Sequence, residues 1–228
     1  MISNLPHWIS IFFIISWLFA LGLFYQSNPK STHTLIGLII WSLIQCILSY
    51  KNFYQVTDTM PPRFALVLFP PAIWIIWELL TLKRREVIRY RDLTKSTLIH
   101  TLRFPVEIVL WQLFLHSTIP ELMTFEGRNF DIIMGITAPI TGWLFIKNRI
   151  SLKALRIWNI IGLILILFIK VNGILSAELP IQMFAFDQPN KGLAYFPFVL
   201  LPAIVVPLVI YTHITDLIKI NQLLKSRE

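Results

Sequence analysis

Residues 11–24 read IFFIISWLFALGLF, a run without a single charged side chain. A second run of the same kind, IWNIIGLILILFI, occupies residues 157–169. Such blocks exceed what a strand or core helix of a soluble protein needs, and they are typical of helices that cross a bilayer. Across all 228 residues, 56% are hydrophobic, only 14% are charged and the mean hydropathy is +0.68. The sequence therefore predicts an integral membrane protein.

The predicted fold is all-α, a polytopic transmembrane helical bundle that forms one domain over residues 1–228. At roughly 20 residues per span, the length accommodates about seven spans. The segment 97–117 is the weakest of them, because Arg103 and Glu107 lie inside its apolar stretch and two central charges oppose insertion by about 5–7 kcal/mol. The predicted spans cover residues 8–25, 33–50, 63–82, 97–117, 131–147, 153–172 and 194–216.

Lysine and arginine are distributed unevenly between the two sets of loops. One set carries fourteen of them, grouped at residues 30, 83–95, 147–156 and 219–227, whereas the other set carries five. Short cytoplasmic loops are enriched in basic residues, so the N-terminus is predicted outside and the C-terminus in the cytoplasm. Because the net charge of +8 sits at helix ends, it indicates contact with anionic lipid headgroups and not with nucleic acid.

On the fourth span, His100, Arg103, Glu107 and Trp111 are three, four and four residues apart, which places them on one helical face. Ionisable side chains at membrane depth avoid lipid, so Arg103 and Glu107 are predicted to point into the bundle and to pair with each other. Two interpretations are open. The pair binds a polar ligand or relays a proton, or it is an ion pair that only fixes helix packing.

His213 and Asp216 lie near the end of the last span, and Glu78 of the third span is predicted at a depth comparable with His100. Histidines and carboxylates at one depth are metal-ligand types. However, the chain has no HExxH or ExxH spacing, and Cys46 is its only cysteine. We therefore predict no metal site, no cofactor and no catalytic residue.

Two outer loops are more polar than simple connectors require, namely PELMTFEGRNFD at 120–131 and FAFDQPNKG at 184–192. They are predicted to be ordered, either as a cap at the entrance of an outward-facing cavity or as a clasp in which Arg128 pairs with a carboxylate. The candidate entrance residues are Glu126, Arg128, Asp131, Asp187 and Asn190. Prolines inside several spans predict kinks that leave room for such a cavity.

Three segments, RFPVEIVLWQLFL (103–115), PELMTFEGRNFDIIMGITAP (120–139) and FAFDQPNKGLAYFPFVLLPAIVVPLVIYTHI (184–214), resemble a family of uncharacterised bacterial multispanning membrane proteins. The resemblance covers roughly the second half of the chain. It implies a bacterial inner (cytoplasmic) membrane location, and it implies no activity, cofactor or site.

The leading functional hypothesis is a helical bundle that binds or transports a small polar or charged solute, with proton exchange, through a cavity between spans three, four, five and seven. One alternative is a membrane-embedded, metal-dependent enzyme acting on a lipid or quinone, which is less favoured than a non-enzyme. Another is a non-catalytic subunit or receptor. The expected partners are the lipid bilayer and the solute, with a homo-oligomer or a membrane partner subunit as open alternatives.

Overall fold

The structure is a computed structural model that describes residues 2, 5–28, 32–81 and 83–226. These residues form helices and turns, without a strand among them, so the predicted all-α fold is confirmed for this part of the chain. The helices are α1 (His7–Ser27), α2 (Thr32–Tyr50), α3 (Ala65–Leu80), α4 (Lys83–Tyr90), α5 (Leu93–Ile99), α6 (Arg103–Leu115), α7 (Asp131–Ile146), α8 (Leu152–Leu175) and α9 (Val206–Lys225).

Each of the seven predicted segments overlaps at least one of these helices. Five helical segments of the described chain are long and apolar enough to cross a membrane: α1, α2, 93–115, α8 and 201–225. The segment 93–115, which sequence analysis makes the weakest span, is among them. The other two predicted segments contain α3 and α7, apolar helices of 16 residues each.

The last helical segment differs from its predicted range of 194–216, because it covers 201–225. The start is later since the chain turns through residues 195–199, where Pro197 lacks the N–H that a helix would use. The end is later because Asp216 does not terminate the helix. Residues 217–225 (LIKINQLLK) are mostly strong helix formers, so the helix continues past Asp216, which pairs with Arg91. Lys30 and Arg227, and the side chains of Lys83 and Arg84, on which part of the predicted orientation rests, lie outside the described residues.

Large aliphatic side chains cover the outward faces of several helices. Ile11, Ile40, Ile136 and Ile164 are each about half exposed or more, and neighbours one turn away share their faces. Soluble monomers rarely expose apolar surface on this scale, so these faces are suited to contact with lipid. By contrast, the segment 201–225 is buried over most of its length, which makes α9 the centre of the bundle.

Prolines change the helical geometry at two places next to the buried centre. Pro207 cannot donate a backbone hydrogen bond, and the chain widens into a π-helical segment over Leu201–Val205 before α9 begins. Pro105, near the start of α6, follows a 3-10 turn at His100–Leu102 that joins α5 to α6. The helices therefore remain continuous where proline would otherwise break them.

Gly135 allows α7 to approach α6 closely. A Cβ atom at this position would collide with the backbone nitrogen of Phe104, which lies at the start of α6. Small residues at helix crossings permit such contacts in membrane proteins. Because Asp131 lies four residues before Gly135, the crossing also brings the Asp131 side chain beside Arg103.

We expect Gly135→Ala to destabilise the protein by about 1–3 kcal/mol, because the added methyl group forces α6 and α7 apart. The measurement is the melting temperature in mild detergent, followed by size-exclusion chromatography. Gly22→Ala on α1 is the matched control, since a Cβ there meets no atom within 4 Å, and it should leave the melting temperature unchanged or raise it. Equal melting temperatures for Gly135→Ala and wild type would contradict the close crossing.

Candidate functional site

Arg103 lies at the centre of a buried polar cluster and pairs with Asp131. Its side chain donates from Nε to Asp131 Oδ2 at 3.0 Å and from Nη2 to Asp131 Oδ1 at 2.5 Å, and both residues are almost fully buried. The predicted pairing of Arg103 with Glu107 is therefore wrong. Its physical reason is the close crossing of α6 and α7, which offers Arg103 a two-point carboxylate contact on the neighbouring helix.

Two further donors of Arg103 are engaged by α8 and α9. Nη2 also donates to the Gly162 carbonyl at 3.2 Å, and Nη1 donates to His213 Nε2 at 3.3 Å. Gly162 permits this contact, because a Cβ there would lie 2.5 Å from the His213 ring. Since four of the five N–H groups of the guanidinium then have partners, Arg103 has little capacity left to hold an anion.

These contacts fix the protonation of the His213 ring. Arginine has donors only, so His213 Nε2 must accept the hydrogen bond from Arg103 and carry no proton. Nδ1 then carries the proton and donates to Asn159 Oδ1 at 2.9 Å. Asn159 is oriented in turn by its own donation to the Leu155 carbonyl at 3.0 Å. The imidazole of His213 is therefore neutral, with its proton on Nδ1.

His100 stacks on His213 inside the bundle. Their ring centroids are 3.9 Å apart with an interplanar angle of 17°, and Trp158 presents an edge contact to His100. Neither ring nitrogen of His100 has a hydrogen-bond partner among the described residues. Parallel rings do not direct their nitrogen lone pairs at one point, and no group of three His, Cys, Asp or Glu in the described chain is arranged to hold a metal.

Asp216 forms a second buried ion pair on α9, one turn from His213. It pairs with Arg91, accepts from the Ser96 hydroxyl at 2.8 Å, and has no exposed side-chain surface. Arg91 also donates from Nη2 to the Thr212 carbonyl at 3.2 Å. The prediction that Arg91 contacts lipid headgroups is therefore wrong, because Arg91 is the counter-ion of a buried aspartate.

Glu107 differs from Asp131 and Asp216 because one of its carboxylate oxygens has no partner among the described residues. Oε1 accepts from Asn129 Nδ2 at 2.5 Å, whereas Oε2 is buried without a hydrogen bond to any described residue. Asn129 is held in place by donating to the Met123 carbonyl and by accepting from the Asp131 backbone N–H. The free oxygen of Glu107 is thus a fixed, unsatisfied acceptor inside the bundle.

Glu107 lines a cavity of about 70 Å³ between α3, α6, α8 and the π-helical segment. The polar lining of this cavity also includes Asn129, Asp131, Lys170 and Asn190, and the other lining residues are mostly apolar. The sequence predicted a cavity between spans three, four, five and seven. In the structure, α8, which lies in the predicted sixth span, supplies much of the wall, and Asp131, the first residue of the predicted fifth span, also lines it.

A polar cleft of about 290 Å³ lies next to this cavity and shares Phe64 and Asn190 with it. Asn190 is buried, donates to the Gly173 carbonyl at 3.1 Å, and its Oδ1 has no partner among the described residues. Tyr54 also lines the cleft. Burial raises the pKa of its phenol to about 12, against a lowering by the hydrogen bond to Gln45, so the hydroxyl remains protonated.

The structure separates the remaining predicted site residues from this cluster. Glu78 accepts a hydrogen bond from Thr34 at 3.1 Å and lines a different cleft. Trp111 is half-buried, with its ring 5.9 Å from Phe125. Of the predicted entrance residues, Asn190 lines cavity and cleft and Asp131 is buried on Arg103, whereas three are exposed and outside both linings: Glu126, Arg128 and Asp187.

The loop 184–192 packs on residues 118–119, which immediately precede the loop 120–131. Gln188 donates to the Ile119 carbonyl at 2.6 Å, and the Gly192 backbone N–H donates to the Thr118 carbonyl at 2.7 Å. Arg128 lies 5.6 Å from the Phe184 ring centroid and forms no ion pair with the described residues, so the predicted clasp through Arg128 is wrong. The backbone carbonyls of Thr118 and Ile119 hold the loop 184–192 in place instead.

Sequence reasoning missed Asn159, Ser96 and Lys170 as members of the buried network and cavity. A signal for Asn159 was present, because a single amide inside an apolar run seeks a partner on another helix. Ser96 and Arg91 carried no such signal, since both lie beside a basic surface loop. Lys170 lines the cavity of Glu107 only because of tertiary packing, which the sequence does not specify.

Comparison with known proteins gives one family. The family model described as a domain of unknown function (DUF8737) matches residues 61–220, which include all of α3 to α8 and most of α9. No curated protein and no solved structure matches the chain.

We expect Asp131→Asn to destabilise the protein by about 3–5 kcal/mol, because it leaves Arg103 buried without a full counter-charge. A double-mutant cycle with Arg103→Met should give a coupling energy above about 1 kcal/mol, larger than the coupling between Arg103→Met and Glu107→Gln. The measurement is the free energy of unfolding in detergent. The exposed Asp187→Asn serves as the control and should change it by less than about 0.5 kcal/mol. Stronger coupling to Glu107 would contradict the observed pair.

We also expect nitrogen NMR of histidine-labelled protein to report a proton on Nδ1 of His213 and none on Nε2. The reason is that Arg103 supplies a donor to Nε2 and Asn159 supplies an acceptor to Nδ1. The signal is assigned with His213→Gln, and the exposed His7 is the internal reference for a ring in solvent. A proton on Nε2, or a doubly protonated ring at neutral pH, would contradict the hydrogen-bond directions.

Proposed function

The chain belongs to the family of the domain of unknown function DUF8737, and we propose that it is a membrane protein that binds or transports a small polar or charged solute with proton exchange at Glu107. The free Oε2 atom of Glu107, at the wall of a cavity with polar lining, carries this proposal. The other buried carboxylates that pair with arginine, Asp131 and Asp216, are neutralised within the fold.

The proposed topology has seven spans, with the N-terminus outside and the C-terminus in the cytoplasm of a bacterial inner membrane. It requires that α3 and α7 also cross. A 16-residue helix is about 24 Å long, shorter than the roughly 30 Å hydrocarbon core. Because α7 begins beside Arg103, at the midpoint of the segment 93–115, the residues that precede α7 would complete its crossing. Exposed apolar side chains on both helices, such as Phe69, Ile73 and Ile140, favour this arrangement.

A buried carboxylate without a counter-ion loses its hydration and gains little in return. No lysine or arginine of the described residues forms an ion pair with Glu107. A proton on Oε2 would therefore remove an unfavourable charge, and Asn129 holds Oε1 so that Oε2 is the oxygen that exchanges it. Asn129 also accepts from the Asp131 N–H, which connects Glu107 to the Arg103 pair.

The cavity is large enough to hold the waters or the small solute that exchange a proton with Glu107. A volume of 70 Å³ exceeds the roughly 10–15 Å³ that one ordered water needs, so several waters or a small solute fit beside Glu107. Access runs through the polar cleft, where Asn190 and Phe64 separate cleft from cavity. Lys170 supplies the positive charge for solute binding in place of Arg103, because the donors of Arg103 are engaged inside the fold.

The proposal is tested with proteoliposomes that contain a pH-sensitive dye and carry an imposed potassium gradient with valinomycin. We expect wild-type protein to admit protons faster than empty vesicles, and Glu107→Gln to lower that rate by about tenfold or more, because the amide cannot exchange the proton. The readout is dye fluorescence against time, normalised to the amount of reconstituted protein.

The matched control is Glu86→Gln, which makes the same change on the exposed face of α4 and should leave the rate unchanged. Wild-type flux equal to that of empty vesicles, across a range of added small ions, would contradict the proposal and favour a non-catalytic subunit. Full flux in Glu107→Gln would show that protons pass elsewhere.

A further inference from the structure

A second cleft, separate from the Glu107 cavity, lies between α2, α3 and the start of α9. It measures about 340 Å³, and its lining includes Trp41, Trp74, Trp77, Glu78 and Thr34. Three tryptophans and one carboxylate around a single cleft are more than helix anchoring at a membrane interface requires. These five residues belong to α2 and α3, and their spacing along each helix explains why they line one cleft.

On α3, Trp77 and Glu78 lie three and four residues after Trp74, so both neighbour Trp74 on one side of the helix. On α2, Thr34 and Trp41 are seven residues apart, which is two helical turns and again one face. The two faces oppose each other across the cleft. Aromatic walls from both helices therefore enclose a space that has a carboxylate at one end.

Glu78 is 5% exposed, and its carboxylate has one hydrogen-bond partner among the described side chains, the Thr34 hydroxyl at 3.1 Å. No lysine or arginine among the described residues forms a salt bridge with Glu78. A carboxylate this buried is stabilised by a positive charge beside it. The described lining contains no lysine or arginine, and its one histidine, His33, is exposed and forms no salt bridge with Glu78.

The aromatic wall is held in position by the fold. The Trp74 ring packs on Tyr211 of α9, with centroids 5.1 Å apart, and Pro70, Pro71 and Pro207 complete the adjoining surface. Tryptophan faces attract cations, and quaternary ammonium groups are typical ligands of sites with aromatic walls. One carboxylate and one hydroxyl offer too few oxygens for a calcium-like ion, which takes six to eight oxygen ligands.

We propose that this cleft binds an alkyl-substituted ammonium group, with Trp41 and Trp74 around the substituents and Glu78 as the counter-ion. The ammonium group belongs either to a lipid headgroup or to a free organic cation, since both present the same chemistry. The site does not depend on proton exchange at Glu107. Its occupant enters from the side of the bundle, where Trp77 is half exposed at the mouth.

The test uses purified protein in nanodiscs of phosphatidylglycerol, which contains no ammonium group, and radiolabelled choline as the probe. We expect saturable choline binding that is displaced by tetramethylammonium and at least about tenfold more weakly by the neutral isostere of choline in which carbon replaces nitrogen. Glu78→Gln and Trp41→Leu should each weaken binding by about tenfold, because one removes the counter-ion and the other an aromatic face.

Matched controls are Glu121→Gln and Trp143→Leu, which make the same changes at exposed positions outside the cleft and should bind choline as wild type does. Glu107→Gln should also bind normally, which separates this proposal from the proton pathway. In phosphatidylcholine nanodiscs, loss of choline binding identifies a lipid headgroup as the occupant, and retained binding identifies a free cation. Equal affinity for choline and its neutral isostere, or no choline binding by wild-type protein, overturns the proposal.

Discussion

The charge of Arg103 cannot be left without partners inside a helical bundle that lipid surrounds, and the arrangement of four helices follows from this constraint. Asp131 brings the start of α7 to α6, the Gly162 carbonyl brings α8, and His213 brings α9. The apolar side chains around them could pack in several ways, since lipid is as apolar as a leucine side chain. Polar contacts with defined directions select one packing, and glycines at positions 135 and 162 make it sterically accessible.

Two buried carboxylates have no cationic partner among the described residues, and each borders a cavity or a cleft. Glu107 keeps one oxygen without a partner at the cavity, and Glu78 has a hydroxyl but no cationic partner among the described side chains at the tryptophan cleft. By contrast, Asp131 and Asp216 each form a salt bridge with an arginine, and Asp216 also accepts a hydrogen bond from the Ser96 hydroxyl. Where a fold satisfies its own charges, the role of those charges is structural. Where it leaves one incomplete beside a cavity, an external proton or ligand can complete it.

The elements that depend on local sequence were predictable, and those that depend on helix packing were not. Long apolar runs predicted the five helical segments that are long enough to cross a membrane and the two shorter apolar helices α3 and α7. The cost of charge in lipid predicted that Arg103 and Glu107 face the bundle interior, and both are buried. The sequence did not predict the partners of these residues. Asp131 appears in the sequence as a loop residue, and it becomes the counter-ion of Arg103 only because Gly135 allows α7 to pack closely on α6. Arg91 was assigned to lipid headgroups for the same reason, since the position of Asp216 beside it is a property of tertiary structure.

The sequence separation of the Arg103 pair has a consequence for how the protein is made. Asp131 follows Arg103 by 28 residues, so at about 5–20 residues per second the ribosome delivers the arginine a few seconds before its counter-ion. Gly162 and His213 follow later still. During that interval, transfer of the segment that carries Arg103 from the insertion machinery into lipid is unfavourable, because it would place an unpaired charge in the bilayer. Entry into the bilayer as a hairpin with α7 removes this barrier, so the order of synthesis and the order of assembly are linked through a single buried charge.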